Sequence, residues 1–77
     1  MLVKAKFVKY SICPCGFPVL DTKIEIGTVY TINPKRKDRF VFVCGGCHQV
    51  LRVVGVWAAR GKERGGFLPE QIFEIIK

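Results

Sequence analysis

Along most of the chain, apolar and polar positions alternate with a period of two. Val3, Ala5 and Phe7 are separated by Lys4 and Lys6, the pattern of a strand with one buried face. Thr28–Ile32 is β-branched and aromatic and lies between Gly27 and the Asn33-Pro34 pair, so a second strand is expected there. Arg39–Cys44 ("RFVFVC") and Val50–Ala59 ("VLRVVGVWAA") are two more dense β runs. Gly55 inside the latter is expected to mark a bulge or bend.

The C-terminal part changes character. "RGKERGG" (Arg60–Gly66) is expected as a flexible basic turn. In "FLPEQIFEIIK", Pro69 suits the first position of a helical turn and Glu70 suits its positive end. Too few residues follow for a full helix, and "FEII" returns to strand. The expected fold is therefore all-β: a small barrel of about five strands, with one short 3-10 or helical turn near the C-terminus. A closed barrel leaves few sheet edges exposed.

The 77 residues allow one domain, expected to span 1–77. A core this small commonly needs a metal, a disulfide set or a partner. At 49% hydrophobic and 25% charged, the composition excludes a disordered tail. Neither a low-complexity tract nor a solenoid repeat is present. The first ten residues lack the apolar run of a signal peptide, and no stretch approaches the roughly 20 apolar residues of a membrane span. A cytoplasmic chain is expected, where thiols stay reduced.

All four cysteines lie in "CPCGFP" (Cys13–Pro18) and "CGGCHQ" (Cys44–Gln49). Two tight turns, each aiming two thiolates at one point, suit a closed four-cysteine site, and Pro14, Gly16, Gly45 and Gly46 supply the turn chemistry. The expected cofactor is one structural zinc ion on Cys13, Cys15, Cys44 and Cys47. Iron is chemically allowed on the same thiolates. His48 follows Cys47 directly and is an alternative ligand; otherwise it is a solvent-facing turn residue. A redox C-x-x-C usually opens a helix, whose N-terminus depresses the thiol pKa, whereas "HQVLRVV" reads as strand. Two disulfides would need an oxidising compartment.

A closed thiolate site has no open position for a catalytic water. With one histidine, scattered carboxylates and no phosphate-cradling glycine motif, the chain is expected not to be an enzyme.

The run Trp57–Ile76 resembles the closing segment of SH3 domains. There a Trp-bearing strand leads through a charged turn to a Gly-aromatic-aliphatic-Pro step, a 3-10 turn and a last strand. Gly66, Phe67, Leu68 and Pro69 match that step, Glu70 and Gln71 the turn, and "FEII" the strand. Small phage and bacterial SH3-like proteins end in a similar "LP..IFEI" pattern, and "IGTVYTI" looks like their Gly-led opening strand. The resemblance implies an SH3-like barrel, with "CPCGFPVL" in its long first loop and "CGGCHQ" in a later hairpin turn. The cysteine pattern is similar to a zinc ribbon. Unlike signalling SH3 domains, the chain has no "ALYDY" motif, and Ile72 stands where they place a peptide-binding tyrosine. Proline-peptide recognition is not carried over. For Trp57 and Tyr10 a core or half-buried role is expected, with an aromatic patch as the alternative.

Formal net charge is +7, a balance that favours polyanionic partners. Lys35, Arg36, Lys37 and Arg39 fall in "NPKRKDRF", expected as an exposed hairpin loop, and Arg60, Lys62 and Arg64 form a second basic loop. These seven are the candidate nucleic-acid contacts, reaching phosphates in a salt-sensitive way. Two solvated turns are the plain alternative. The function expected is a zinc-stabilised, non-enzymatic binding module with nucleic acid as partner. An SH3-like protein-interaction module is the alternative, a thiol-redox or metal-handling protein a third reading, and no membrane association is expected. Sequence leaves the oligomeric state open.

Overall fold

A computed structural model describes residues 1–76. Five antiparallel strands form one sheet: β1 Val3–Phe7, β2 Val29–Val43, β3 Val50–Ala59, β4 Gly66–Pro69 and β5 Phe73–Ile75. Their order is β4-β3-β2-β1-β5. A 3-10 turn, Glu70–Ile72, joins β4 to β5 and is the only helical element among the described residues. None of the helices described is long and apolar enough to cross a membrane.

The expected alternation sets which face is buried. Ala5 and Phe7 of β1 point inward with Tyr30 and Ile32 of β2 and Val56 and Ala58 of β3; Ile72 of the 3-10 turn completes this core. Fully burying a side chain such as Phe7 or Ile72 contributes about 1.5–3 kcal/mol. Tyr10 is half-buried, packs edge-on against Phe7 with ring centroids 4.9 Å apart, and donates its hydroxyl to the Ile24 carbonyl. That contact holds the long segment between β1 and β2 against the sheet.

Two expectations are corrected. Asn33–Phe40 is not a hairpin loop: the two strands expected on either side of it run on as one fifteen-residue β2. Asn33 pairs with Trp57 and Lys37 with Val56, so Pro34, Lys35 and Arg36 form a bulge opposite no partner. A proline lacks an N–H for the ladder, and the bulge places Pro34 where none is required. Asn33 Oδ1 accepts the Lys35 N–H at 3.1 Å, which satisfies part of the freed backbone. Gly55 is not itself the bulge. It pairs with Asp38, and a Cβ there would strike the Phe40 ring, so its role is close approach.

The sheet is also not closed into a barrel. Four residue steps from Pro69 to Phe73 reach at most about 14 Å, whereas four inter-strand steps in a flat sheet span about 19 Å. The sheet must therefore curl, bringing its edge strands towards each other. No ladder joins β4 to β5, because the connecting turn lies between them and fills the opening with the fully buried Ile72.

Beyond the bulge, β2 and β3 continue past β4 as a two-stranded ribbon from Arg39/Val54 to Val43/Val50. Val41, Val43 and Val50 are exposed on one face, while Val53 is buried and Phe40 half-buried on the other. The ribbon carries the second cysteine pair at its tip, in the turn 44–49.

Candidate metal centre and basic face

The first cysteine turn is shaped by local hydrogen bonds. Ser11 Oγ accepts the Cys13 N–H at 3.2 Å and donates to the Cys13 carbonyl at 2.9 Å. The Gly16 N–H closes the turn on the same carbonyl at 2.9 Å, with Gly16 at φ +86°. That left-handed conformation suits glycine.

The second turn closes the β2–β3 ribbon. The Cys44 N–H donates to the Gln49 carbonyl at 3.0 Å, and the His48 N–H to the Cys44 carbonyl at 2.9 Å. His48 has φ +64°, a region in which histidine is among the better-tolerated side chains. The Phe17 ring lies across Gly45 and Gly46; a Cβ on either would come within 2.9 Å of it. Phe17 thus fastens one cysteine turn to the other.

The result is a convergence of all four thiols. The sulfurs of Cys13, Cys15, Cys44 and Cys47 lie within 4.8 Å of one another. Cys13 and Cys47 are 3.4 Å apart, as are Cys15 and Cys44. These separations are far beyond a disulfide bond of about 2.05 Å, and all four cysteines are free. A tetrahedron of sulfurs at the usual zinc–sulfur distance of about 2.3 Å has edges of about 3.8 Å. The observed spacing brackets that value, so the donor set fits a tetrahedral ion. His48 is exposed and is not among the converging groups.

The thiols do not share one acidity. The Cys47 backbone N–H, followed by that of Gly46 and the neighbouring Cys15 and Cys13, outweighs burial and lowers the Cys44 pKa to about 6. At Cys13 a backbone hydrogen bond from Cys15 favours the thiolate, but burial and the three other sulfurs outweigh it and push the pKa up to about 12. The two buried thiols thus differ in acidity, Cys44 favouring the thiolate and Cys13 the thiol.

Five of the seven basic candidates gather around one pair of aromatic rings, and two do not. Arg36, on the bulge, sits 5.9 Å from the Trp57 ring centroid and 5.8 Å from that of Phe67, within the range of cation–π attraction. Trp57 and Phe67 are cross-strand partners on β3 and β4, and the turn carrying Arg60, Lys62 and Arg64 connects those two strands. Gly65, at the end of that turn, approaches the indole so closely that a Cβ would strike it. Lys35 lies beside Arg36 on the bulge. The other two point elsewhere. Lys37 Nζ pairs with Glu70 Oε1 at 3.0 Å, and Arg39 lines an open hollow of about 400 Å³ with Arg52 and Val54.

Lys4 and Lys6 were not among the candidates. Trp57 is opposite Asn33, Thr31 follows on the same side, and Thr31 is opposite Lys4. Directly opposed residues share a sheet face. Lys4 and Lys6 therefore lie on the outer face of Trp57 and Phe67, and Lys4 Nζ donates to Thr31 Oγ1 at 2.8 Å. The alternation of Lys4 and Lys6 with buried residues was the available signal.

Compared with known proteins, the chain matches no family model, no curated protein and no solved structure.

Proposed function

We propose that the protein is a non-enzymatic binding module whose cysteine centre holds one structural zinc ion and whose basic outer face binds nucleic acid. The observation that carries the metal reading is the convergence of four sulfurs within 4.8 Å. Four thiolates complete a zinc coordination sphere and leave no site for a substrate. The ion's role is to tie the first loop to the tip of the β2–β3 ribbon, adding stability that the small core around Phe7 and Ile72 supplies only in part.

The nucleic-acid reading is supported by the grouping of Lys4, Lys6 and Arg36 on or beside one face, with the turn of Arg60, Lys62 and Arg64 adjoining it. Only the Arg60 member of that turn has an ion-pair partner among the described residues, Glu63 at 2.5 Å. The remaining charge is free to meet phosphates.

The SH3-like reading draws support from element order. β3 bears Trp57, a charged turn follows, then Gly66–Pro69, the 3-10 turn and β5. The zinc-ribbon reading rests on the two turns alone.

Native mass spectrometry before and after chelation tests the metal: one zinc per chain is expected, and iron or no bound metal would overturn that assignment. Titration with nucleic acid at low and high salt tests the partner. Salt-sensitive binding is expected, and no binding at low salt would overturn it.

A further inference from the structure

The outer face combines charge with two aromatic rings, and this combination points to a particular form of nucleic acid. Phe67 is 41% exposed, a large apolar surface on a four-residue edge strand. Trp57 beside it is half-buried. The bulge in β2 lifts Arg36 to a position over both rings. Among the described residues Arg36 has no carboxylate partner, because the ion pairs there are Lys37–Glu70 and Arg60–Glu63. Its guanidinium rests on π-faces alone and is available to a phosphate.

A duplex offers such a face only its phosphates, since its bases are already stacked on each other. Exposed aromatic rings gain from nucleic acid only when unpaired bases can reach them, and such stacking tolerates any base. A guanidinium plane serves as a stacking surface in the same way. The basic turn 60–65 adjoins the ring pair at Gly65, placing Lys62 and Arg64 on the segment next to the two rings.

We propose that this face binds single-stranded nucleic acid, with unpaired bases stacking on the Trp57–Phe67–Arg36 cluster and the backbone held by the neighbouring basic turn. The proposal rests on the nucleic-acid reading above and deepens it.

Trp57 is the single tryptophan of the chain, so its fluorescence reports directly on the site. The probes are a twelve-residue oligothymidine and a twelve-base-pair duplex, titrated into the zinc-loaded chain at matched low salt. Oligothymidine is expected to quench Trp57 and to bind at least tenfold more tightly than the duplex. Phe67→Leu, at an exposed position, is expected to weaken oligothymidine binding about tenfold and duplex binding less than twofold. Stacking one base has an effect of this size. Arg36→Ala should weaken both, with circular dichroism confirming that each variant is folded.

Equal affinity for the two probes, or oligothymidine binding without change at Trp57, would overturn the stacking proposal while leaving general phosphate binding standing. Binding of neither probe would overturn both readings. Equally tight binding of polyglutamate would overturn the assignment to nucleic acid.

Discussion

The Phe17 ring lies across the backbone of Gly46, near enough that a Cβ added to Gly46 would stand 2.9 Å from the ring. The two residues belong to different cysteine turns, 29 positions apart in the chain. Their contact is the packing counterpart of the proposed metal bridge, and it restricts what residue 46 can be. Gly46→Ala must displace the Phe17 ring, and because that ring is 44% exposed and can swing outward, the cost is at the low end of overpacking, about 1 kcal/mol. Denaturant unfolding of the zinc-loaded variant measures that cost. Adding Phe17→Ala should remove most of it, as a double-mutant cycle would show. An unchanged penalty in the Phe17→Ala background would refute the contact as its source.

Removing the metal should loosen the chain without erasing the sheet. The core at Phe7, Tyr30 and Val56 contains none of the four cysteines, although Cys13 and Cys44 are themselves buried. At free zinc a thousandfold above Kd, linkage stabilises the fold by about 4 kcal/mol. For a domain of this size that corresponds to a Tm shift of about 16–32 °C. Chelation under reducing conditions, followed by circular dichroism, should give that fall and keep β signal at low temperature. Cys44→Ser and Cys47→Ser should reproduce it without chelator, and an unchanged Tm would sink the metal assignment.

Acidity in the metal-free chain has a sign that can be worked out. Cys44 falls from an ordinary 9.0 to about 6, so between those values the unfolded chain holds a proton there that the folded chain does not. Stability from this group rises with pH across that window. Cys13 rises from 9.0 to about 12, so above 9 the folded chain holds the extra proton and stability falls with pH. The metal-free chain should therefore be most stable near pH 9. A series of Tm values under reducing conditions checks this, and Cys44→Ser should abolish the rise on the acid side. A steady fall in Tm from pH 6 to 9 would contradict it.

How much of this was legible beforehand depended on the range of the interaction involved. Strands such as Val3–Phe7 were readable because burial on one face imposes a period of two on neighbouring residues. The cysteine set was readable because two thiols in a tight turn are a local feature with few uses. The bulge was not. Asn33-Pro34 has the local chemistry of a turn, and only pairing with Trp57 and Val56 on β3 shows that the strand resumes at Lys37. The open sheet was hidden for a similar reason: whether β4 meets β5 depends on Ile72 entering the core. Phe17 and Gly65 were missed because each acts through a contact with a residue distant in sequence or folded across a turn.

Gly65 should tolerate no side chain. A Cβ there would strike the Trp57 indole, and Trp57 is held on its other sides by its place between Asn33 and Phe67. Gly65→Ala is expected to destabilise by about 1–3 kcal/mol and to shift Trp57 emission, since the ring must move to make room. Gly61→Ala is the comparison. Gly61 has open space around it but φ +57°, so that variant should carry a backbone cost without altering the emission. Identical spectra for both variants would remove the contact from the account.

The division of basic residues between faces makes the last prediction one of location. Lys37 is 45% exposed and paired with Glu70, itself 46% exposed. Such a pair contributes about 0–1 kcal/mol, so Lys37→Ala should leave stability nearly unchanged. It should also leave nucleic-acid affinity nearly unchanged, because Lys37 is tied to the 3-10 turn and Arg39 lines the separate hollow beside Arg52. Lys62→Ala and Arg64→Ala, on the turn beside Trp57, should each weaken binding and reduce the slope of log K against log salt by about 1. Net charge alone would predict the same loss for all four, since each substitution removes one positive charge. Equal losses at Lys37, Arg39, Lys62 and Arg64 would mean that overall charge governs binding, and the outer face would lose its role.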